Sequence, residues 1–305
     1  MAYYSYAFAN EEEVRAFVLT CEARFCAQVE RASAIAHAMP QLKYVALSGP
    51  SCAGKTTTAG LMIKELQEKG YSVEVISIDD FFHDRKTLDD MAKKSGKLDL
   101  DSVKAIDLDE LSRFVTCIEE GRVARRPHFD FTKGACVGYT EILPKKEHVF
   151  LFEGIQAFYP EVAALFPKEE TLRVFISVHE TLKTPYGTFL PRERRLLRRL
   201  LRDYHRRSTP ISRTLLHWEG VTANELHNIE PYQEDCDVMI DSSMPYELGV
   251  LRAPLLALLD GVSADEPRAD EAKRIAEKIR PFPDISPSMV PKHSVMREFI
   301  GYEDQ

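Results

Sequence analysis

Alternating strand-like and helix-like stretches organise most of the chain. Apolar residues recur at helical spacing through residues 11–38 and predict an amphipathic helix that ends before Pro40. Strand-like runs follow at 44–47, 73–78, 149–152, 172–178 and 237–240, and a helix is predicted from about 56 to 69, closed by Gly70. Because strands that alternate with helices build βαβ units, this pattern predicts a mainly parallel sheet with helices on both faces, a three-layer α/β/α fold.

The composition changes after Asp260. Residues 261–270 are acidic and small, a helix is predicted up to about Arg280, and the four prolines in 281–291 favour an extended tail. We therefore predict three parts: an N-terminal helical extension at 1–40, a core α/β domain at 41–262, and a C-terminal helix with a Pro-rich tail at 263–305.

A glycine-containing turn lies between the first predicted strand and the helix after it. Residues 49–56 match G-x-x-x-x-G-K-[ST] at every defined position, the pattern of a phosphate-binding P-loop. In such a turn the backbone amides and the helix N-terminus surround a polyphosphate. We expect Lys55 to reach the β- and γ-phosphates of ATP and the Thr56 hydroxyl to bind Mg²⁺. The predicted nucleotide contacts are Gly49, Ser51, Cys52, Ala53, Gly54, Lys55, Thr56 and Thr57.

Two acidic residues come directly after predicted strands. Asp79 follows the run at 73–78, and Glu153 follows the run at 149–152. Carboxyl ends of parallel strands share one edge of a sheet, where a kinase needs an acid to orient the acceptor hydroxyl and another to support Mg²⁺. We predict the first role for Asp79 and the second for Glu153. Asp80 is an alternative to Asp79, and either acid could instead cap a loop.

Residues 192–207 contain eight arginines in a chain whose formal net charge is −8. Leu197, Leu200, Leu201 and Tyr204 form a predicted apolar stripe. The predicted basic face consists of Arg195, Arg198, Arg199, Arg202 and Arg206. A solvated helix face is the ordinary explanation of such a run. Like charges one turn apart repel unless an anion neutralises them, so we favour a lid helix whose arginines contact a triphosphate.

The net charge of −8 also argues against a nucleic-acid or anionic-membrane partner. The chain has no apolar run of about 20 residues that could span a bilayer, and its first residues do not look like a secretion signal. The sequence therefore predicts a cytoplasmic protein whose partners are ATP and a small molecule with a hydroxyl group. The sequence does not decide whether the protein forms a homo-oligomer.

Five segments, in order, resemble the uridine kinase and phosphoribulokinase family of P-loop kinases: GPSCAGKTT, SIDDFF, RRPHFDF, VFLFEGIQAFYPEV and RRLLRDYHRRS. The similarity covers residues 43 to about 255, and residues 290–301 are similar to the tails of bacterial uridine-kinase-like proteins. The resemblance implies a P-loop NTPase fold with an Arg-rich lid helix and helical additions at both ends. It also implies transfer of the γ-phosphate of ATP, with Mg²⁺, to the 5′-hydroxyl of a nucleoside.

The resemblance gives roles to particular residues. Asp79 corresponds to the residue that accepts or orients the proton of the 5′-hydroxyl, and Asp101 to one that holds the ribose hydroxyls. Phe129 matches an aromatic that lies against the base, although core packing explains it equally well. Arg199 and Arg202 match lid arginines that face substrate and phosphates, and Arg207 is a further residue on the ATP side.

Three positions depart from the family pattern. Phe82 stands where uridine kinases tend to have a tyrosine in the substrate pocket, Gly134 where they place a base-reading histidine, and Ser208 where their lid ends in RGR. Since discrimination depends on buried polar groups finding partners, these changes weaken the case for a pyrimidine. Besides a nucleoside kinase, two other functions therefore stay open. One is a kinase of the same fold with another alcohol as acceptor, and the other is a regulator that binds and slowly hydrolyses ATP.

Overall fold

The computed structural model describes residues 2–95 and 102–301. The α-helices are α1 (Glu11–Ala38), α2 (Lys55–Glu68), α3 (Arg85–Ser95), α4 (Leu108–Glu119), α5 (Pro160–Ala163), α6 (Pro191–Arg207), α7 (Ile211–Asn228), α8 (Glu247–Leu259), α9 (Ala269–Ile279) and α10 (Arg297–Ile300). The strands are β1 (Ala2–Tyr3), β2 (Tyr44–Ser48), β3 (Ser72–Ser77), β4 (Ala124–Asp130), β5 (Ala135–Ile142), β6 (His148–Glu153), β7 (Thr171–Ser177), β8 (Leu182–Thr184), β9 (Gly187–Phe189) and β10 (Val238–Asp241).

A five-stranded parallel sheet forms the centre of the molecule, in the order β10-β7-β2-β6-β3. All five strands were predicted, with ends that differ by at most one residue. Since every strand runs the same way, the segments after β2, β3, β6 and β7 emerge at one edge. The parallel order of β2, β6 and β3 therefore places the P-loop, Asp79 and Glu153 at the same edge of the sheet.

Side chains of the central strand alternate between two apolar cores. Val45 and Leu47 join the larger core, which contains residues of α1, α2 and α6 through α9. Tyr44 and Ala46 point the other way, into a core that includes Phe114 of α4. An alternation of period two between two covered faces is what a buried parallel strand requires. The predicted three-layer α/β/α fold is confirmed.

The larger core also includes parts of the two chain ends. Phe25 of α1 and Phe282 and Phe299 of the C-terminal segment are buried in it. The predicted helix before Arg280 is observed as α9, and residues 281–291 contain only a short 3-10 turn at Pro287–Met289. The division into 1–40, 41–262 and 263–305 stays a prediction. In the described part of the chain, no helix has both the length and the apolar character that crossing a bilayer would need.

Two small sheets were not predicted. β4 and β5 form an antiparallel hairpin, and β1, β8 and β9 form a three-stranded sheet in which β1 pairs parallel to β8. The hairpin matters for the site because β4 contacts the 3-10 turn Ile78–Phe81, which carries Asp79.

Candidate active site

The turn between β2 and α2 has the close backbone packing that its glycines permit. A Cβ at Gly49 would lie 2.0 Å from the carbonyl oxygen of Ile176, so only glycine fits there. Gly54 has φ +95°, and a Cβ on it would lie 2.2 Å from Val295 Cγ2 in the C-terminal segment. Between them, Cys52 and Ala53 are buried. The turn is thus packed against β7 at Gly49 and against the C-terminal segment at Gly54.

Lys55 lies at the centre of the candidate site. Its Nζ donates to the backbone oxygens of Gly49, at 2.8 Å, and Pro50, at 3.2 Å. Burial lowers the pKa of Lys55, whereas the negative charges of Glu153 and Asp79, followed by Glu298, act to raise it. The ammonium group therefore interacts electrostatically with both predicted acids.

Glu153 is the last residue of β6, and its register partner on β3 is Ser77. Its Oε1 accepts a hydrogen bond of 2.9 Å from Ser77 Oγ. Thr56, in the first turn of α2, is exposed at the same sheet edge. A hydroxyl and carboxylates are the oxygen donors that Mg²⁺ prefers, and Mg²⁺ in kinases keeps its remaining positions for phosphate and water. Residues 2–95 and 102–301 hold no cluster of three or more His, Cys, Asp or Glu side chains that could bind a metal without substrate.

Asp79 and Asp80 lie in the same 3-10 turn, Ile78–Phe81, directly after β3. Asp80 Oδ1 accepts from the backbone amide of Phe129 at 3.3 Å, which ties this acid to the hairpin. Burial raises the pKa of Asp80. Asp79, by contrast, contributes to the electrostatic environment of Lys55. The two neighbours thus face different parts of the molecule.

Three phenylalanines form a cluster beside this turn. The ring centroid of Phe82 lies 5.8 Å from that of Phe129 and 5.6 Å from that of Phe131. Phe82 is buried, Phe129 is half-buried and Phe131 is exposed. The cluster thus forms an apolar surface that extends from the turn to solvent. Asp101, the predicted contact of the ribose hydroxyls, lies outside the described residues.

Gly134 closes the turn of the hairpin. Its φ is +64°, and a Cβ there would lie 2.9 Å from Cβ of Arg85. A histidine at this position would need both a strained backbone and a displaced Arg85. The departure at Gly134 therefore belongs to the local fold of this chain.

Helix α6 lies across the P-loop. Arg199 Nη1 and Arg202 Nη2 both donate to Ser51 Oγ, at 3.1 and 3.4 Å. Arg207, at the end of the helix, is partly exposed and 3.7 Å from Asp203. Ser208 follows with φ +50° and ends the helix. Two predicted lid arginines thus reach the loop, while Arg207 lies further out.

The predicted basic face of α6 is wrong at two positions. Arg195 and Arg198 are buried: Arg195 makes a bidentate contact of 2.5 and 2.6 Å with Glu225, and Arg198 binds Glu247, as does Arg194. These carboxylates, rather than a triphosphate, neutralise that part of the cluster. Tyr204 was assigned to the apolar stripe but is exposed, whereas Leu197, Leu200 and Leu201 are buried as predicted.

Sequence reasoning missed two acidic residues in the site. Asp203 is buried beside three arginines, with contacts of 3.1 Å to Arg199 and 3.0 Å to Arg202. Its spacing of four residues from Arg199 and from Arg207 was a visible signal. Glu298 lies 3.9 Å from Arg202. No local signal could have placed it there, because it comes from the C-terminal segment.

The sequence profile of the phosphoribulokinase / uridine kinase family matches residues 44–247. Uridine-cytidine kinase C of Dictyostelium discoideum is 27% identical over 152 residues, 47% of this chain and 31% of that protein. The uridine kinase of Mycoplasma pneumoniae is 26% identical over 212 residues, 67% of this chain and 87% of that protein. The similarity thus spans under a third of the first relative and most of the second.

Two solved structures align with about three quarters of this chain. A crystal structure described as that of a putative fructose transport system kinase from Silicibacter sp. TM1040 has a TM-score of 0.44 and 16% identity, over 74% of this chain and 97% of that one. A structure described as a possible uridine kinase from Bacillus stearothermophilus has a TM-score of 0.42 and 16% identity, over 75% of this chain and all of that one. Likeness at this level decides nothing about substrate.

Proposed function

The chain belongs to the phosphoribulokinase / uridine kinase family, and from that premise we propose that it transfers the γ-phosphate of ATP to a hydroxyl of a small molecule, the 5′-hydroxyl of a nucleoside. One observation carries the proposal: the P-loop that contains Lys55 lies at the same edge of the parallel sheet as Asp79 and Glu153, which stand at the carboxyl ends of the neighbouring strands β3 and β6. A terminal phosphate held by Lys55 would therefore face an acid that can orient an acceptor.

The reaction needs few protein groups. The acceptor oxygen bonds to the γ-phosphorus, the bond from that phosphorus to the β–γ bridging oxygen breaks, and ADP leaves. Asp79 takes or orients the hydroxyl proton, and Lys55, Arg199 and Arg202 stabilise the charge on the transferring group. Mg²⁺, held by Thr56 and Glu153 directly or through water, would neutralise charge on the β- and γ-phosphates when bound.

Two observations support a nucleoside as the acceptor. The curated relatives that match this chain are named uridine or uridine-cytidine kinases. In addition, Phe82 and Phe129 pack together next to the turn that carries Asp79, and an apolar surface of this kind suits a planar base. The turn conformation of Gly134 favours a second candidate, a kinase of this fold with a different alcohol as acceptor, since a base-reading side chain is missing there.

The test is a transfer assay with Mg-ATP and a panel of nucleosides and other alcohols, with the product identified by mass. Asp79→Asn should lower transfer by at least about 100-fold, because it removes the proton acceptor. ATP affinity measured by calorimetry should stay within about twofold, because Asp79 is not part of the phosphate cradle.

Asp80→Asn is the matched control, since this neighbour faces the hairpin, and it should retain most of the activity. Lys55→Ala should lose ATP binding. A chain that binds ATP but modifies no alcohol would contradict the proposal and favour the regulatory ATPase. Full transfer by Asp79→Asn would remove the proposed role of that residue.

A further inference from the structure

A small cavity lies between the P-loop helix α2 and the C-terminal segment. It has a volume of about 190 Å³ and is lined by Thr56, Thr57, Arg206, Lys292, His293, Ser294 and Glu298. Whole small-molecule sites usually measure ~300 Å³ or more, so this cavity suits part of a ligand whose remainder binds next to it. Thr56 and Thr57 line the cavity and also belong to the predicted phosphate site, so the phosphate site is its neighbour.

The C-terminal wall of this cavity is held in place by the rest of the molecule. Val295 is fully buried and packs against Gly54. Ser294 Oγ donates to Glu22 Oε1 of α1 at 2.6 Å and lies 3.1 Å from the hydroxyl of Tyr246, at the start of α8. Arg297 donates to carbonyl oxygens of its own segment, including Pro287 at 3.1 Å and Pro291 at 3.3 Å. Lys292 and His293 thus extend into solvent from a fixed backbone.

The sheet order shows which end of a triphosphate would face this wall. β3, which leads to Asp79, lies two strands from β2 on one side, and β10 lies two strands away on the other. Ser294 of the C-terminal segment contacts Glu22 of α1, a helix that packs on β10, and Tyr246, which follows β10. With the γ-phosphate directed to Asp79, the opposite end of the donor would extend toward the C-terminal segment.

The chemistry of the cavity agrees with that direction. Arg206, Lys292 and His293 are exposed donors at its rim, and Glu298 is an acceptor held 3.9 Å from Arg202. A carboxylate disfavours a further phosphate but accepts hydrogen bonds from sugar hydroxyls, while the rim can donate to the acceptor atoms of a base. Mixed donors and one acceptor fit a nucleoside better than a polyanion.

We propose that residues 292–298, together with Arg206, form the subsite for the nucleoside part of the phosphate donor. This inference rests on the proposed function, since it places the donor by the direction of phosphate transfer. It makes the C-terminal segment a part of the binding site, with Lys292 and His293 as residues that distinguish a nucleoside triphosphate from a bare phosphate chain.

Calorimetric titration with two ligands tests the subsite. The full chain is titrated with Mg-ATP and with Mg-tripolyphosphate, which has the same phosphate chain but no nucleoside. The double variant Lys292→Ala/His293→Ala should bind ATP about tenfold more weakly, because it loses hydrogen bonds to the nucleoside, and tripolyphosphate within about twofold of wild type. Both residues are exposed, so the variant should fold, which thermal unfolding verifies.

Two further variants separate the possible failures. Lys273→Ala, at an exposed lysine of α9, should leave both affinities unchanged, and Lys55→Ala should weaken both. Equal losses for the two ligands in the double variant, or no loss for either, would overturn the subsite alone. A wild-type chain that binds neither ligand would overturn the proposed kinase function and the subsite with it.

Discussion

At the scale of single residues, Gly49 is the position where the site tolerates least change. The Cβ of an alanine would lie 2.0 Å from a backbone oxygen of β7, which no side-chain movement can relieve. We predict that Gly49→Ala lowers the free energy of unfolding by about 2 kcal/mol or more and abolishes ATP binding. Urea unfolding and calorimetry measure the two effects.

Gly60→Ala is the control for this prediction. Gly60 lies in α2, and no described residue outside its own helix comes within 4 Å of an added Cβ. Alanine should therefore raise the free energy of unfolding by about 0.5–1 kcal/mol, since it favours the helix. If Gly49→Ala were as stable as Gly60→Ala, the backbone approach of β7 to the loop would not exist as described.

Residues in one local motif were predictable, and residues brought together by the fold were not. The P-loop, Asp79 and Glu153 each follow a strand in the sequence, and the structure places all of them at one sheet edge. Glu298 could not be found in this way, because its contact with Arg202 depends on how the C-terminal segment packs on α6. Sequence spacing carries information about neighbours within an element and little about distant partners.

At the scale of elements, helix α6 shows how misleading a run of like charges can be. The sequence predicts the helix and its leucines, but not that Arg195 and Arg198 turn inward. Their partners Glu225 and Glu247 belong to α7 and α8, which the spacing of the arginines does not reveal. Long side chains with buried ion pairs therefore replace part of the basic surface that the sequence predicts.

The ion pair between Arg195 and Glu225 leads to a prediction about α6. Both side chains are buried, with exposed fractions of 3% and 2%. Glu225→Gln would leave a buried guanidinium without its counter-charge, so we predict a loss of about 3 kcal/mol in the free energy of unfolding. Chemical denaturation of the variant measures it.

The pair between Arg192 and Glu230 supplies the control, because it joins α6 to the same region but has exposed fractions of 38% and 41%. Glu230→Gln should cost less than about 1 kcal/mol. Similar losses in the two variants would show that burial does not set the strength of these pairs, contrary to the argument.

At the scale of the whole molecule, the sheet was predictable because its strands are continuous apolar runs. The hairpin was not, since β4 contains Arg125, Arg126 and Pro127 and β5 is largely exposed. Such strands lack the apolar pattern that identifies a buried strand, and pairing with each other is what orders them. The contact between tail and P-loop has no sequence signal at all.

A buried acid joins the two ends of the described chain. Glu22 of α1 accepts hydrogen bonds from Tyr246 and Ser294, while its Oε2 has no hydrogen-bond partner among the described residues. Burial raises the pKa of Glu22 above its usual value of 4.5. Its contribution to stability is therefore complete below pH 4.5 and is lost as the pH rises through the raised pKa.

Glu22→Gln should remove this dependence, because the amide carries no charge. We predict that the stability of the variant relative to wild type increases as the pH rises from 4.5 to 8, measured by urea unfolding at each pH. Glu30→Gln, at an exposed position of the same helix, should show no such trend. A constant difference between Glu22→Gln and wild type across this range would contradict the assignment.

The packing of Val295 on Gly54 has a consequence for the order in which the parts of the phosphate site are synthesised. The ribosome makes the phosphate loop before the side chain that supports it, since Val295 follows Gly54 by about 240 residues. A nascent chain that ends before Val295, or a chain cut by a protease in the Pro-rich segment 281–291, would contain the whole P-loop motif without the contact between Val295 and Gly54. Nucleotide affinity would then report that translation had proceeded past residue 295 and that the chain was intact.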